Sequence, residues 1–317
     1  MSGQTSRYRE QGAPDYGHGF HAGNVGDVWK HCGLLEALRL ASPGAATLTF
    51  VESHAGEGGY RLGSTGEWSA GIARVAVAAD PASPAARHVD LCRRLGFAGP
   101  STWYPGSPAL ARAVLGEHDR MILWERDPAA HAQLARRFAE APGVLVHAGD
   151  GVAALVQETR SAESRPGAVV ALVDPPWTAT EDWIRIPDAL AQAVGATERT
   201  CFLLWYPVKS LTRPNAMLAR LARAGVRAAI AELVTTPLDQ RRNRLNGSGL
   251  LAIRPPSGWM AAMGSAAPTI GAACATHGGA WSLRLSDAGG SSEGSSRSPE
   301  GAGDGVLSGS AESRGAP

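Results

Sequence analysis

The stretch Ala168-Val169-Val170-Ala171-Leu172-Val173-Asp174-Pro175-Pro176-Trp177 decides the fold. An apolar run that ends in a carboxylate and two prolines predicts a strand buried on both faces, as in a parallel sheet. A helical pattern follows from about Asp182 to Val194. Asp174 is therefore expected at the carboxyl end of a strand, where open α/β sheets hold their ligands. Neither proline has an N–H, and each biases the residue before it toward extended backbone. The carbonyls of Asp174 and Pro175 then lie outside any helix and, with the Asp174 carboxylate, offer acceptors to a planar amino group. An exocyclic amine on a nucleobase is a poor nucleophile, because its lone pair is delocalised into the ring. Acceptors that grip its N–H bonds favour a tetrahedral nitrogen and carry the charge that develops as it attacks. Trp177 offers a flat face on which a base can stack, worth ~1–3 kcal/mol. The competing reading is a strand that ends in a Pro-Pro turn with a core tryptophan, and the rest of the chain has to separate the two.

Outward from this strand the chain alternates. Ala46 to Glu52 reads as the first buried strand and runs into Ser53-His54-Ala55-Gly56-Glu57-Gly58-Gly59-Tyr60. A glycine-rich loop directly after a strand lets a ligand approach the backbone. Gly56-x-Gly58 is shorter than the dinucleotide fingerprint and matches the looser loop of S-adenosylmethionine (SAM) enzymes, with Glu52 at the strand end. Residues 61–104 interrupt the alternation and read as a small helical insertion, with a helix from about Pro84 to Leu95; Ser107 then caps a helix to about Gly116. Met121 to Trp124 is the next strand, and its terminal acid Glu125 is placed for ribose hydroxyls. A helix is expected over Ala129 to Ala139. Val144 to His147 leads to Gly149-Asp150, suited to an adenine amino group and equally suited to capping the helix Val152 to Gln157. Thr200 to Val208, Val226 to Val234 and Gly249 to Arg254 complete the strands, Ala280 to Leu285 adds another, and Leu211 to Ala224 is a helix.

Upstream, Gly19-Phe-His21-Ala-Gly23-Asn24-Val-Gly26-Asp27-Val-Trp29-Lys30-His31 passes from a glycine-rich turn into a helix. Asp27 reads as the N-cap and Val28 to Leu40 as an amphipathic helix with Leu34, Leu35 and Leu38 inward. Histidines, a lysine and an asparagine crowded at a helix N-terminus can hold a carboxylate or phosphate; a capped helix with solvated polar residues is the more ordinary explanation. The basic run Asp239 to Asn246 is expected on the same edge as Asp174, either contacting phosphates or as a solvated hairpin loop.

Composition narrows the class. The 317 residues are 44% hydrophobic, ordinary for a globular protein with a sizeable core. No apolar run is long enough to span a membrane, and the N-terminus lacks an apolar signal-peptide core. Cys32, Cys92, Cys201 and Cys274 are scattered without CxxC spacing, which argues against zinc and disulfides and fits a reducing cytoplasm. The net charge is +1, but residues 286–317 carry −3, leaving +4 on the rest. That tail is Gly/Ser/Glu-rich and expected to be disordered, as are residues 1–14. Only two of the 30 basic residues are lysines, Lys30 and Lys209; either they mark places where a compact ammonium is wanted or they are incidental.

The order helix, glycine loop, acid, acid, Asp-Pro-Pro-aromatic is that of a Rossmann-like class I SAM-dependent methyltransferase acting on an amino group. Phe20-His-Ala-Gly-Asn24, Asp27-Val-Trp-Lys-His31, Ser53-His-Ala-Gly56, Tyr104-Pro-Gly-Ser-Pro108, Asp174-Pro-Pro176 and Trp205-Tyr-Pro207 resemble the RlmJ-type 23S ribosomal RNA adenine-N6-methyltransferases from about Tyr16 to about Leu285. The resemblance implies a cytoplasmic, metal-free monomer that modifies adenine 2030 of protein-free 23S rRNA. It implies that His31, His54, Gly56, Ser107, Glu125, Asp150, Gly151 and Asp174 hold SAM, and that Asp174, Pro175, Pro176 and Trp177 form the catalytic motif. Tyr16, His18 and Lys30 would contact the substrate. In this reading residues 15–285 are the methyltransferase domain. Two departures stand out: Gly17 replaces the family's usual arginine, and Trp177 its usual tyrosine. The rival readings are a DNA adenine-N6 methyltransferase, for which the chain offers no room for a target-recognition domain, and a non-catalytic RNA-binding assembly factor.

Overall fold

The computed structural model describes residues 18–41, 47–240, 245–276, 279–288 and 305–309. In chain order, α1 (His18–His21) and α2 (Val25–Ala41) lead to β1 (Leu48–Glu52). The insertion comprises β2 (Gly59–Arg61), a 3-10 turn (Glu67–Ala70), α3 (Ile72–Ala78), α4 (Pro84–Arg94) and β3 (Trp103–Pro105). Then come α5 (Ser107–Val114), β4 (Arg120–Glu125), α6 (Pro128–Arg137), β5 (Val144–Ala148), α7 (Gly151–Glu163), β6 (Ala168–Val173) and α8 (Asp182–Gly195). The chain continues through β7 (Cys201–Val208), α9 (Thr212–Arg223), β8 (Ala228–Val234), β9 (Gly247–Ile253), α10 (Trp259–Cys274), β10 (Trp281–Ala288) and β11 (Gly305–Gly309).

The central sheet has nine strands in the order β11-β10-β8-β9-β7-β6-β1-β4-β5. The run from β7 to β5 is parallel; β9, β8, β10 and β11 extend it with antiparallel pairings. The chain leaves β1 toward β4 and β5, then returns to β6 on the other side. The boundary between β1 and β6 is therefore the topological switch point, and their carboxyl ends open the crevice where such sheets bind ligands. β6 is buried from Val169 through Val173, as expected of a strand covered on both faces.

Each face has its own core. Leu48, Phe50, Leu123, Val170 and Leu172 pack toward α2, α10 and the insertion. Val51, Ile122, Val169, Ala171 and Val173 pack toward α7, α8 and α9. The alternation along β1 and β6 is the period of 2 that sends successive side chains to opposite faces.

Several expectations need correcting. α2 is not amphipathic: every residue from Val28 to Leu38 is buried, because α10 and the insertion cover its outer side. Gly33 permits this seating, since a Cβ there would lie 2.2 Å from a Leu250 methyl. The helix starts earlier than expected. The Asn24 carbonyl accepts from Val28 N–H and its side chain accepts from Asp27 N–H (2.9 Å), while the Asp27 carboxylate accepts from Gly23 N–H (2.9 Å). Asn24 is thus the N-cap, and Asp27 reaches back to the residue before it, a variant of the capping box. Ser107 is the first residue of α5 rather than its cap, which is Gly106. Residues 259–274 form α10, for which the sequence carried no expectation. The tail is not structureless throughout, because Gly305–Gly309 pairs with β10; residues 289–304 and 310–317 lie outside the described residues, as do residues 1–14.

Candidate active site

Asp174 leaves the end of β6 and meets Lys30 from the second turn of α2, 144 residues earlier in the chain. The Lys30 ammonium donates to Asp174 Oδ2 at 2.5 Å and to Asp27 Oδ1 at 2.7 Å. Lys30 is only 7% exposed, so this is a charged triad with little water. Burial alone would strip the lysine of its proton, but Asp174 and Asp27 outweigh it and hold the ammonium well above its ordinary range. Burial raises the carboxyl of Asp174, against the pull of the Lys30 ammonium. Burial also acts to raise Asp27, but Lys30 and His31 bring it below the usual carboxylate range.

Among the described residues nothing donates to the backbone carbonyls of Asp174 or Pro175, as the Pro-Pro reading requires. Trp177 differs from expectation. It is 7% exposed, its indole N–H donates to the Trp205 carbonyl (3.0 Å) and its ring packs on Trp183 at 4.2 Å between centroids. One face of the indole is therefore covered by protein. Its φ of 53° is the left-handed region, a conformation worth ~1–3 kcal/mol of strain in a non-glycine residue. The anchored indole holds the chain just after Pro176 in that sharp turn.

The loop after β1 forms a second set of contacts. Gly56 (φ 58°) donates its N–H to Glu125 Oε2 at 2.7 Å, and Glu125 Oε1 accepts from Asp127 N–H. A Cβ at Gly56 would meet the Tyr60 hydroxyl at 2.3 Å, so this close turn requires glycine. His54 Nδ1 lies 2.8 Å from Ser53 Oγ, and burial lowers its pKa to about 4, leaving it neutral. At the end of β1, Glu52 is fully buried; Ser107 Oγ donates to its Oε1 at 2.5 Å, while Oε2 has no partner. Burial lifts its pKa to about 8. His31 is also buried, with Nδ1 3.0 Å from the Tyr104 hydroxyl.

Asp150 caps α7, accepting from Val152 and Ala153 N–H, and its carboxylate pairs with Arg185 at 2.7 Å. Burial acts to raise its pKa, but Arg185 and the cap bonds bring it below the usual range. Gly151 is a packing position, since a Cβ there would lie 2.3 Å from the Ser53 carbonyl.

The expected residues thus separate into groups. Asp174 joins Lys30, and Gly56 joins Glu125. Ser107 joins Glu52, which the sequence marked only as a strand-end acid. Tyr104, Asp27 as a partner of Lys30, and Arg185 had no expected role. Lys30 was singled out by the scarcity of lysine and, through the resemblance, as a substrate contact; neither signal pointed to its bond with Asp174. Tyr16 and Gly17 lie outside the described residues, as does 241–244 of the basic run, and of His18 only its place in α1 is described. The ends of that run, through the pairing of Val208, Gly247 and Val234, do lie on the Asp174 edge of the sheet. Among the described residues no helix is long and apolar enough to cross a membrane, and no group of three or more His, Cys, Asp or Glu could hold a metal ion.

Comparison with known proteins bears on this geometry. A solved structure from Legionella pneumophila superposes with a TM-score of 0.73 at 24% identity, covering 84% of this chain and 98% of that one. Ribosomal RNA large subunit methyltransferase J of Haemophilus influenzae is 32% identical over 251 residues, 76% of this chain and 87% of the relative. The Escherichia coli protein of the same name is 30% identical over 247 residues, with the same coverage. The model of the family described as "RsmJ: Ribosomal RNA large subunit methyltransferase D, RlmJ" matches residues 45–285. An α/β sheet with a strand-end Asp-Pro-Pro motif at its switch point, and a family match over most of its length, place this chain in the RlmJ family of ribosomal RNA large subunit methyltransferases.

Proposed function

We propose that this protein methylates N6 of an adenine in 23S rRNA with SAM as donor, at position 2030 by the family resemblance. The observation that carries the reading is Asp174, at the carboxyl end of β6 beside the switch point, followed by two prolines and bonded to the buried Lys30. The acceptors of Asp174 and Pro175 hold the N6 hydrogens, so that the nitrogen lone pair turns toward the methyl donor. Lys30 keeps the Asp174 carboxylate aimed and opposes the upward pull of burial on its pKa. Pro175 and Pro176 keep its neighbouring carbonyl free of competing donors, and Trp177 fixes the turn.

SAM supplies an electrophilic methyl group. The residues present fit its polar groups: Glu125 and Asp150 terminate adjacent strands as acceptors, Gly56 gives the loop a close backbone approach, and the enclosed Glu52 Oε2 is left without a protein partner at the end of β1. Ser107 orients Glu52, and neutral His31 and His54 add ring nitrogens to the same site. Tyr16 and His18 belong to the substrate side with Lys30. The catalytic unit in this reading is 15–285, a cytoplasmic monomer without metal.

A duplex does not reach Asp174 without extruding a base, and an adenine in free RNA is easier to reach than one packed in a finished ribosome. The test is incorporation of labelled methyl from SAM into protein-free 23S rRNA, intact large subunits and duplex DNA. Labelling is expected in the free rRNA, with N6-methyladenine as product and a shallow salt dependence from the mild charge of +4 outside the tail. Equal or greater labelling of duplex DNA overturns the rRNA reading.

A further inference from the structure

The stretch from β3 of the insertion into α5 does more than return the chain to the sheet. Within four residues, Tyr104 and Ser107 reach two different elements: Tyr104 meets His31 of α2, and Ser107 meets Glu52 of β1. The Ser107 bond belongs to the site already described. The Tyr104 bond does not, and its direction can be worked out.

Tyr104 is fully buried, and His31 is 2% exposed. Their rings stack at 5.9 Å with an interplanar angle of 29°, and Nδ1 of His31 lies 3.0 Å from the hydroxyl. Among the described residues this is the hydroxyl's sole hydrogen-bond partner. If Nδ1 carried the proton, the buried hydroxyl hydrogen would have no acceptor, which is the costly arrangement. The hydroxyl therefore donates to Nδ1. A neutral imidazole with Nδ1 accepting carries its proton on Nε2. Burial excludes the doubly protonated ring, holding the histidine pKa well below its ordinary value. Nε2 has no hydrogen-bond partner among the described residues.

We infer that Tyr104 is a positioning residue for the cofactor: its hydroxyl locks His31 as the Nε2–H tautomer and presents that N–H as a donor to the cofactor's carboxylate. The inference rests on the methyltransferase reading above. The carboxylate is the one anionic group of SAM, and His31 adjoins the Lys30 ammonium, which acts on its ring more strongly than the opposing Asp27 carboxylate does. No other hydroxyl is bonded to His31 to do this work.

The test uses the full-length protein, its Tyr104→Phe variant and two cofactor fragments. S-adenosylhomocysteine carries the carboxylate; 5′-methylthioadenosine lacks the whole amino-acid end. Calorimetry is expected to show Tyr104→Phe weakening S-adenosylhomocysteine about tenfold while leaving methylthioadenosine within twofold. Loss of both ligands to the same extent, or of neither, overturns the inference. Nitrogen-15 NMR of the unsubstituted protein gives the tautomer of His31 without any variant: Nε2–H is expected, and Nδ1–H refutes the inference even if Tyr104→Phe fails to fold. Failure of the unsubstituted protein to bind either fragment overturns the methyltransferase reading itself, and the inference with it. Binding of both fragments with the Nδ1–H tautomer overturns the Tyr104 assignment alone.

Discussion

Asp174 and Asp150 invite the same reading, since each is an acid just past the carboxyl end of a parallel strand, yet they sit in opposite surroundings. Asp174, at the end of β6, has a side chain 16% exposed and is bonded to a lysine 9% exposed. Asp150, past the end of β5, is 32% exposed, pairs with a half-exposed arginine and spends one oxygen capping α7. β6 lies inside the sheet between β1 and β7, whereas β5 is the edge strand. A carboxylate at an interior strand end is enclosed by the helices on both faces and either takes a charged partner or is pushed toward its protonated form; one at the edge is solvated and free to serve a helix terminus. Strand-end position therefore nominates an acid, and enclosure decides how strongly its charge is felt.

The contrast can be broken first at Lys30. Lys30→Met leaves Asp174 and Asp27 enclosed without their cation, and unfolding by denaturant is expected to lose ~3–5 kcal/mol. A loss below ~1 kcal/mol would mean the triad is solvated like the Asp150 pair. Asp174→Asn comes next: methyl transfer is expected to fall ~10²–10³-fold with cofactor binding retained, and turnover within a few-fold of normal removes Asp174 from its role.

Glu52 sharpens the comparison as a buried acid that has a hydroxyl but no lysine. Its pKa is raised from 4.5 to about 8, so the folded protein holds a proton that the unfolded chain releases. The sign follows: stability is greatest below the ordinary carboxyl pKa and falls as pH rises toward about 8, by at most ~1.4 kcal/mol per pH unit. Glu52→Gln is expected to flatten that part of the stability–pH profile, and an identical slope in both proteins excludes Glu52 as its source.

The smallest effects belong to the edge. Asp150→Ala is expected to lose ~1 kcal/mol through its cap, while Asp150→Ser keeps the cap and stays near the parent stability. If Asp150→Ser also leaves cofactor affinity unchanged, the carboxylate is a cap alone. Arg185→Gln, at an exposed pair, is expected to shift thermal stability by less than ~1 kcal/mol.

The sheet was legible because its signals are local. Ala168–Val173 reads as a buried strand from its own residues, and the structure has the same bounds. The glycine loop and the acids after β4 and β5 follow from strand ends and turn chemistry. The helix 259–274 was not legible: Gly264, Gly271 and the internal Pro268 lower its helical propensity, and it forms because Trp259, Met263, Ala266 and Ile270 bury against α2 and the sheet. The capping box at Asn24 was misread by one turn, since either Asn24 or Asp27 is an acceptable cap in isolation.

By itself the sequence determined the alternating α/β chain, the family, and the chemistry available at Asp174-Pro175-Pro176, because strand, loop and motif are written in neighbouring residues. Only the tertiary structure decided which charges meet. Lys30 and Asp174 are 144 residues apart, and their contact exists because α2 is enclosed between the sheet, α10 and the insertion. The same enclosure buries His31 against Tyr104 and removes water from Glu52. Pairing and protonation at this site are products of packing, and packing depends on partners that the order of residues along one helix does not name.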